Sequence, residues 1–320
     1  MNIPLACFGG VTIIMTSSVH YITATENHHD QRIDNFLVRH FKTVPKSYLY
    51  RIIRKGELRV NKKRVKADYR LQKGDMVRIP PLKTDETVSP RKIPTFWKDY
   101  LNKSILAQNQ DFIILNKPTA IAVHAGTGDA FGIIEILRDM HPAETFLELV
   151  HRLDKDTSGC LMIAKNRPAL LKLHKMIKSH EMTKIYTLIA HGRWPKNLKF
   201  VDLKLQRGGL SQGQRGVKVD AAGKSSQTSF ILKQQTYALS MVEAQLHTGK
   251  MHQIRVHASE SGYPIVGDKK YGHWEADKKL LKNKQLQHMY LHASRLVFEW
   301  EHKKCQFIAP LPDYFNLLLK

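Results

Sequence analysis

The stretch Leu149-Val-His-Arg-Leu-Asp-Lys-Asp-Thr-Ser-Gly159, which runs straight into the apolar segment Cys160-Leu-Met-Ile-Ala164, decides how this sequence is read. A polar loop feeding a buried strand can expose a reactive side chain while supporting it rigidly. The residues alone leave two readings open: a surface loop with local ion pairs, or a site centred on Asp154. Protein kinases carry a similar His-Arg-Asp loop, but this chain has neither a glycine-rich phosphate loop nor a downstream Asp-Phe-Gly, so that class is excluded.

On either side of this loop the chain reads as strands with interspersed helices. Phe112 to Leu115 and Ile185 to Ala190 are apolar runs, and Met241 to Leu246 alternates. Pro168 opens a helix with Leu170, Leu173, Met176 and Ile177 at near-helical spacing. Mixed order of this kind predicts an α+β fold with a mixed, largely antiparallel sheet flanked by helices, over residues 101–320. Residues 85–100, with Pro90 and Pro94, read as a linker.

The 320 residues carry 51 Lys and Arg against 28 Asp and Glu, a formal charge of +23 that would draw in a polyanion and gain affinity from released counterions. Between Asp30 and Thr84 there are 16 Lys and Arg and 5 Asp and Glu, an excess of 11 in one short segment. Within it Ile33, Phe36, Leu37 and Phe41 recur at helical spacing. A second helix turns Leu49, Ile52 and Ile53 inward and Arg51, Arg54 and Lys55 outward, with Gly56 as its stop. Short strands follow at Leu58 to Val60 and Val77 to Ile79, separated by an Asn61-Lys62-Lys63 turn that leads into Arg64. This order resembles the S4 RNA-binding domain, placed at 30–84. The resemblance rests on Arg32-Ile33-Asp34, Arg51-Ile52-Ile53-Arg54-Lys55-Gly56, Val60-Asn61 and Lys73-Gly74-Asp75. It implies RNA contacts from Arg51, Arg54, Lys55, Lys62, Lys63 and Arg64.

Cys7, Cys160 and Cys305 are too few and too dispersed for a disulfide framework, which points to a reducing, cytoplasmic setting. No run reaches the roughly 18 apolar residues of a membrane helix, so no membrane association is expected. Residues 1–29 are expected to form a disordered leader, with Met15 as a second candidate start; Leu5-Ala6-Cys7 sits too near the terminus for a lipoprotein signal. His247, His252 and His257 are spaced by five, which puts neighbours on different faces of a helix or strand, and no zinc site is expected.

Four motifs in order settle the reading of the central loop. KPTAIAVH at 117–124, HRLDKDTSG at 151–159, KIYTLIAHG at 184–192 and HTGKMHQIRVHASESGYPIVGDKKYG at 247–272 together resemble the RluA family of pseudouridine synthases over about 105–310. The S4-like segment and the stretches 131–138 and 146–150 point within it to enzymes that modify bacterial 23S ribosomal RNA. The resemblance implies that Asp154 is the catalytic aspartate, Arg255 the arginine that pairs with it, Tyr186 the tyrosine that stacks on the base, and Arg152 the residue that fills the gap left by a flipped uridine. It implies no cofactor and no metal, and as partner 23S rRNA or a large-subunit assembly intermediate, met by a monomer. The chain departs from the family at Thr248-Gly249-Lys250, where an arginine is usual; Lys250 keeps a phosphate-binding charge without the guanidinium fork. Two competing readings are a catalytically silent RNA-binding assembly factor, against which intact Asp154, Tyr186 and Arg255 speak, and a hydrolase using Asp154 with a histidine, weakened by the lack of a serine or cysteine nucleophile motif or metal ligands.

Overall fold

In the small N-terminal unit, Ile33, Phe36 and Leu37 on one helix and Leu49, Ile52 and Ile53 on the next are all buried in one apolar cluster, as their spacing requires. The structure, a computed structural model, describes residues 18–41, 44–82, 93–125, 131–209, 215–284 and 288–319. The unit comprises β1 (His20–Thr23), α1 (Ile33–His40), α2 (Lys46–Lys55), β2 (Arg59–Val60), β3 (Lys63–Arg64) and β4 (Met76–Ile79), with sheet order β1-β4-β2-β3. Gly56 ends α2 at φ 71°, the left-handed conformation expected of a helix-stopping glycine. Asn61 and Lys62 also have positive φ, which turns β2 tightly into β3.

Two boundaries differ from the sequence reading. The leader expected over 1–29 does not extend that far: His20–Thr23 pairs antiparallel with β4, and Ala24 is buried in the small core. A four-residue strand whose partner lies more than fifty positions away leaves too little local pattern to be read. Residues 1–17 lie outside the described residues. The linker expected over 85–100 contains the start of α3 (Thr95–Lys103), whose N-cap is Pro94 and whose Leu101 is fully buried. That proline was read as a break, whereas it stands where a proline is tolerated, at a helix start. Residues 85–92 of that stretch lie outside the described residues.

The large unit continues with β5 (Ile105–Gln108), β6 (Phe112–Lys117), α4 (Ile133–Met140), β7 (Glu148–Leu149), β8 (Ser158–Ala164), α5 (Arg167–Lys178) and β9 (Thr183–His191). Then come β10 (Phe200–Gly209), β11 (Arg215–Val219), β12 (Lys224–Gln235), β13 (Leu239–Leu246), α6 (Gln253–Glu260), α7 (Trp274–Lys284), β14 (Leu291–Trp300), β15 (Lys303–Ile308) and α8 (Asp313–Leu318). Their strands form one sheet in the order β11-β10-β12-β13-β9-β14-β8-β6-β5, with β15 on β14 and β7 on β8. All pairs are antiparallel except β14 with β8. The expected α+β class and mixed, largely antiparallel sheet are therefore what the chain adopts. All seven residues of β8 are buried, which accounts for its unbroken apolar run.

The two units touch through polar groups. Arg167, at the start of α5, donates from Nε to the His29 carbonyl and from Nη2 to the Asp30 carbonyl, each at 3.0 Å. Asn27 donates to Thr145 Oγ1 at 3.2 Å, and Arg39 pairs with Glu148 at 2.8 Å while its guanidinium lies over the Phe146 ring.

Candidate active site

The loop between β7 and β8 is fastened at several points. Its Val150 N–H donates to the Met162 carbonyl at 3.0 Å, and the Met162 N–H donates back to His151 Nε2 at 3.2 Å. The Thr157 N–H closes a turn on the Asp154 carbonyl. From beneath, the fully buried Lys117 donates from Nζ to the carbonyls of Pro118, Ile121 and Lys155 at 2.7, 2.8 and 3.0 Å. Burial pulls its pKa down to about 7, against the opposing pull of Asp156 and Asp154. An ammonium offers three donors to these three carbonyls, so the charged form fits the cage. Thr119 Oγ1 adds a bond to the Asp156 carbonyl at 2.9 Å. Past the loop Gly159 takes φ 103°, and a Cβ there would lie 2.3 Å from the Ala293 carbonyl oxygen, so no larger residue fits.

Asp154 emerges from this support with its side chain 30% exposed and its Oδ2 accepting from Arg255 Nη1 at 2.8 Å. Arg255 lies in the first turn of α6, which His252 caps at φ 55°. A second carboxylate holds the rest of the guanidinium: Asp268, with no side-chain exposure, accepts from Nε at 2.8 Å and from Nη2 at 2.7 Å. Burial alone would loosen the Arg255 proton, but Asp268 first and Asp154 second more than reverse this, so the cation is held firmly. Asp268 is likewise held below the usual carboxylate range. Burial opposes its charge, but the Arg255 fork and the backbone N–H groups of Lys270 and Tyr271 outweigh it. His252 Nε2 stands 3.7 Å from Asp154 Oδ2, and its Nδ1 meets the Tyr271 hydroxyl at 2.8 Å. Burial lowers the His252 pKa, partly offset by Asp154, which favours a neutral ring.

These groups open onto a cavity of about 860 Å³, within the size range of ligand sites. Tyr186, from the middle of β9, forms part of its wall and is only 8% exposed. Burial, then the nearby charge of Asp154, pushes its phenol pKa up, so the hydroxyl stays protonated. Arg152 and Lys250 also line the cavity, both exposed.

The structure thus brings Asp154, Tyr186, Arg255, Arg152 and Lys250 to one cavity. Arg51, Arg54 and Lys55 on α2, and Lys62, Lys63 and Arg64 at the β2–β3 turn, are all exposed on the separate small unit and do not line it. His257 and His292 are buried against Ser226 and Ser158, so both serve packing inside the fold. Sequence reasoning missed Asp268 and Lys117 as partners of the site, although both lie inside quoted motifs.

The pattern of the RNA pseudouridylate synthase family matches residues 111–260, and that of the S4 domain matches 31–77. A ribosomal large subunit pseudouridine synthase C of Buchnera aphidicola subsp. Schizaphis graminum is 42% identical over 303 residues, covering 94% of this chain and 96% of that protein. The chain belongs to the RNA pseudouridylate synthase family. Proteins of the same name from Haemophilus influenzae and Escherichia coli strain K12 are 44% and 43% identical to this synthase over 89% and 88% of its length, and 89% of each of theirs is covered. Among solved structures, human RNA pseudouridylate synthase domain containing 4 shares the synthase fold, with a TM-score of 0.59, 24% identity, and coverage of 70% of this chain and 94% of that one.

Proposed function

We propose that this synthase isomerises specific uridines of 23S ribosomal RNA to pseudouridine, acting in the cytoplasm as a monomer on the free RNA or on a large-subunit assembly intermediate. The observation that carries the reading is the Asp154 to Arg255 contact of 2.8 Å at a cavity walled by Tyr186, on a chain with a basic S4 domain. The similarity to the ribosomal large subunit pseudouridine synthases named above supports the substrate class.

The reaction breaks the bond between uracil N1 and ribose C1′ and forms one between C5 and C1′; C5 loses a proton and N1 gains one. No electrons leave and no outside group enters, so the chemistry asks for positioning and one ionised carboxylate. Asp154 supplies that carboxylate, either by attack or by stabilising the cleaved intermediate, and Arg255 keeps it charged and oriented. A stacked uridine must first be flipped out of its helix, which Arg152 assists by occupying the vacated space. The Tyr186 ring gives the turned base an apolar face, and Lys250 contacts phosphate.

Two experiments test this. Carbodiimide-blocked primer extension should lose specific stops in 23S rRNA from cells lacking the gene. Purified protein should release tritium from a [5-³H]uridine-labelled 23S transcript, because C5 gives up its hydrogen, and Asp154→Asn should bind the transcript but release none. Identical maps, or release by Asp154→Asn near the parent rate, would overturn the reading; RNA binding without any release by the parent would favour a silent assembly factor.

A further inference from the structure

Where the two units meet, a second cavity of about 570 Å³ opens beside the first. Five arginines line it, Arg32, Arg39, Arg70, Arg138 and Arg167, against two carboxylates, Asp30 and Glu148. Leu149 and His174 line both cavities, so the arginine cleft adjoins the catalytic one.

Part of this charge has a docking task. Arg39 and Arg138 share Glu148 at 2.8 and 3.1 Å, and Arg167 holds the His29 and Asp30 carbonyls. The rest does not. Arg32 and Arg70 make their ion pairs inside the small unit, with Asp34 and Asp30, and keep 43% and 56% of their side chains exposed. Neither bonds to the large unit, yet both face the gap. The cations also repel one another: Arg39 binds its proton less firmly than usual, first through burial and then, against the opposing pull of Glu148, through Arg138 and Arg167. Gln31, 9% exposed and lining the same cleft, has an Oε1 without a hydrogen-bond partner, so a polar group remains unserved there. An elongated polyanion laid across the cleft would relieve the repulsion, as guanidinium forks suit phosphodiester oxygens, and the 2′-hydroxyls of an RNA strand offer the donor that Gln31 Oε1 lacks.

We propose that this interdomain cleft binds the phosphodiester backbone of the substrate RNA, carrying the strand from the uridine at Asp154 to the basic face of the S4 domain. The proposal rests on the RNA-modifying reading above. It makes the small unit one end of a continuous track.

The test uses the full chain with Arg32→Gln and Arg70→Gln together, side chains whose own hydrogen bonds all stay inside the small unit. A control removes the same charge at Lys303 and Lys304, exposed residues that line neither cavity. Binding of fluorescein-labelled poly(U) is followed by anisotropy over a KCl series, beside the trinucleotide UUU, which is too short to span both cavities. The cleft variant should bind poly(U) on the order of 10-fold more weakly at low salt, with a salt slope shallower by about 1.4 for two lost single-strand phosphates. It should bind UUU as the parent does and keep the parent kcat for tritium release from 23S transcript, with a raised KM. Arg32→Lys with Arg70→Lys should recover most of the poly(U) affinity, since the charge returns. A cleft variant indistinguishable from the lysine control overturns the proposal, as does a lysine pair that recovers nothing. If the parent releases no tritium at all, the catalytic reading fails, whereas the poly(U) result still decides the cleft.

Discussion

Asp268 takes two of the Arg255 donor groups, at 2.8 and 2.7 Å, and leaves Asp154 one, at 2.8 Å, so the arginine is seated mainly by the carboxylate that does not line the cavity. Removing the arginine therefore strands a fully buried charge at Asp268. Arg255→Leu is expected to cost about 3–5 kcal/mol of stability, because an uncompensated buried ion remains. Combining it with Asp268→Leu should restore part of that stability, since the buried charge goes while the Lys270 and Tyr271 N–H groups lose their acceptor, and activity stays lost. Urea denaturation beside tritium release separates the two effects; a single Leu variant that unfolds at the parent midpoint would mean Asp268 does not depend on Arg255.

Tyr186→Phe removes one oxygen and leaves the apolar wall. Binding of RNA should persist, while the single-turnover rate falls on the order of 10²-fold if the hydroxyl takes part in proton transfer. Quenched single-turnover assays read this directly, and unchanged rates would confine Tyr186 to stacking.

Lys117→Met keeps the volume of the side chain but deletes the three donors under the Asp154 loop. Stranded carbonyls should cost about 1–3 kcal/mol. Because Lys155 is one of the three, the loop itself should loosen, lowering kcat with little change in KM. A KM change alone would show that the cage supports substrate binding and not the reacting carboxylate.

Acid should weaken the fold before most carboxylates titrate. Burial lowers the pKa of His151, His257 and His292 to about 4, from an ordinary 6.5. Between those values the unfolded chain binds protons that the folded chain does not, so stability falls as pH drops from 6.5 toward 4. Two of the rings also use a lone pair: His151 accepts from the Met162 N–H, and His292, donating to the Ala309 carbonyl, accepts from Ser158. Urea midpoints at pH 7 and 4.5 check this; equal midpoints would show that the rings tolerate protonation inside the fold.

What could be read in the sequence followed from how local the signal was. Helix α2 showed itself because Leu49, Ile52 and Ile53 repeat within one turn or two, and the Asp154 loop because polar residues abut an apolar strand. The pairing of Asp154 with Arg255 spans 101 positions, and only the motif resemblance carried it. Asp268 stood in a quoted motif yet gave no sign of its role, since a lone aspartate after a glycine suits any turn. Lys117 was hidden for the opposite reason: lysines are rarely fully buried, so its chemistry argued for the surface. Strand β1 escaped because its partner β4 lies on the far side of two helices.

Strand β14 lies between β9, which bears Tyr186, and β8, which follows the Asp154 loop. The two strands are thus joined through residues 291–300, which are translated after Asp154, Tyr186 and Arg255. A nascent chain that stops short of this segment has all three residues but lacks the strand that joins β8 to β9. With Asp154 as the reacting carboxylate proposed above, competence should therefore arrive late and abruptly during synthesis, when the wedge enters the sheet.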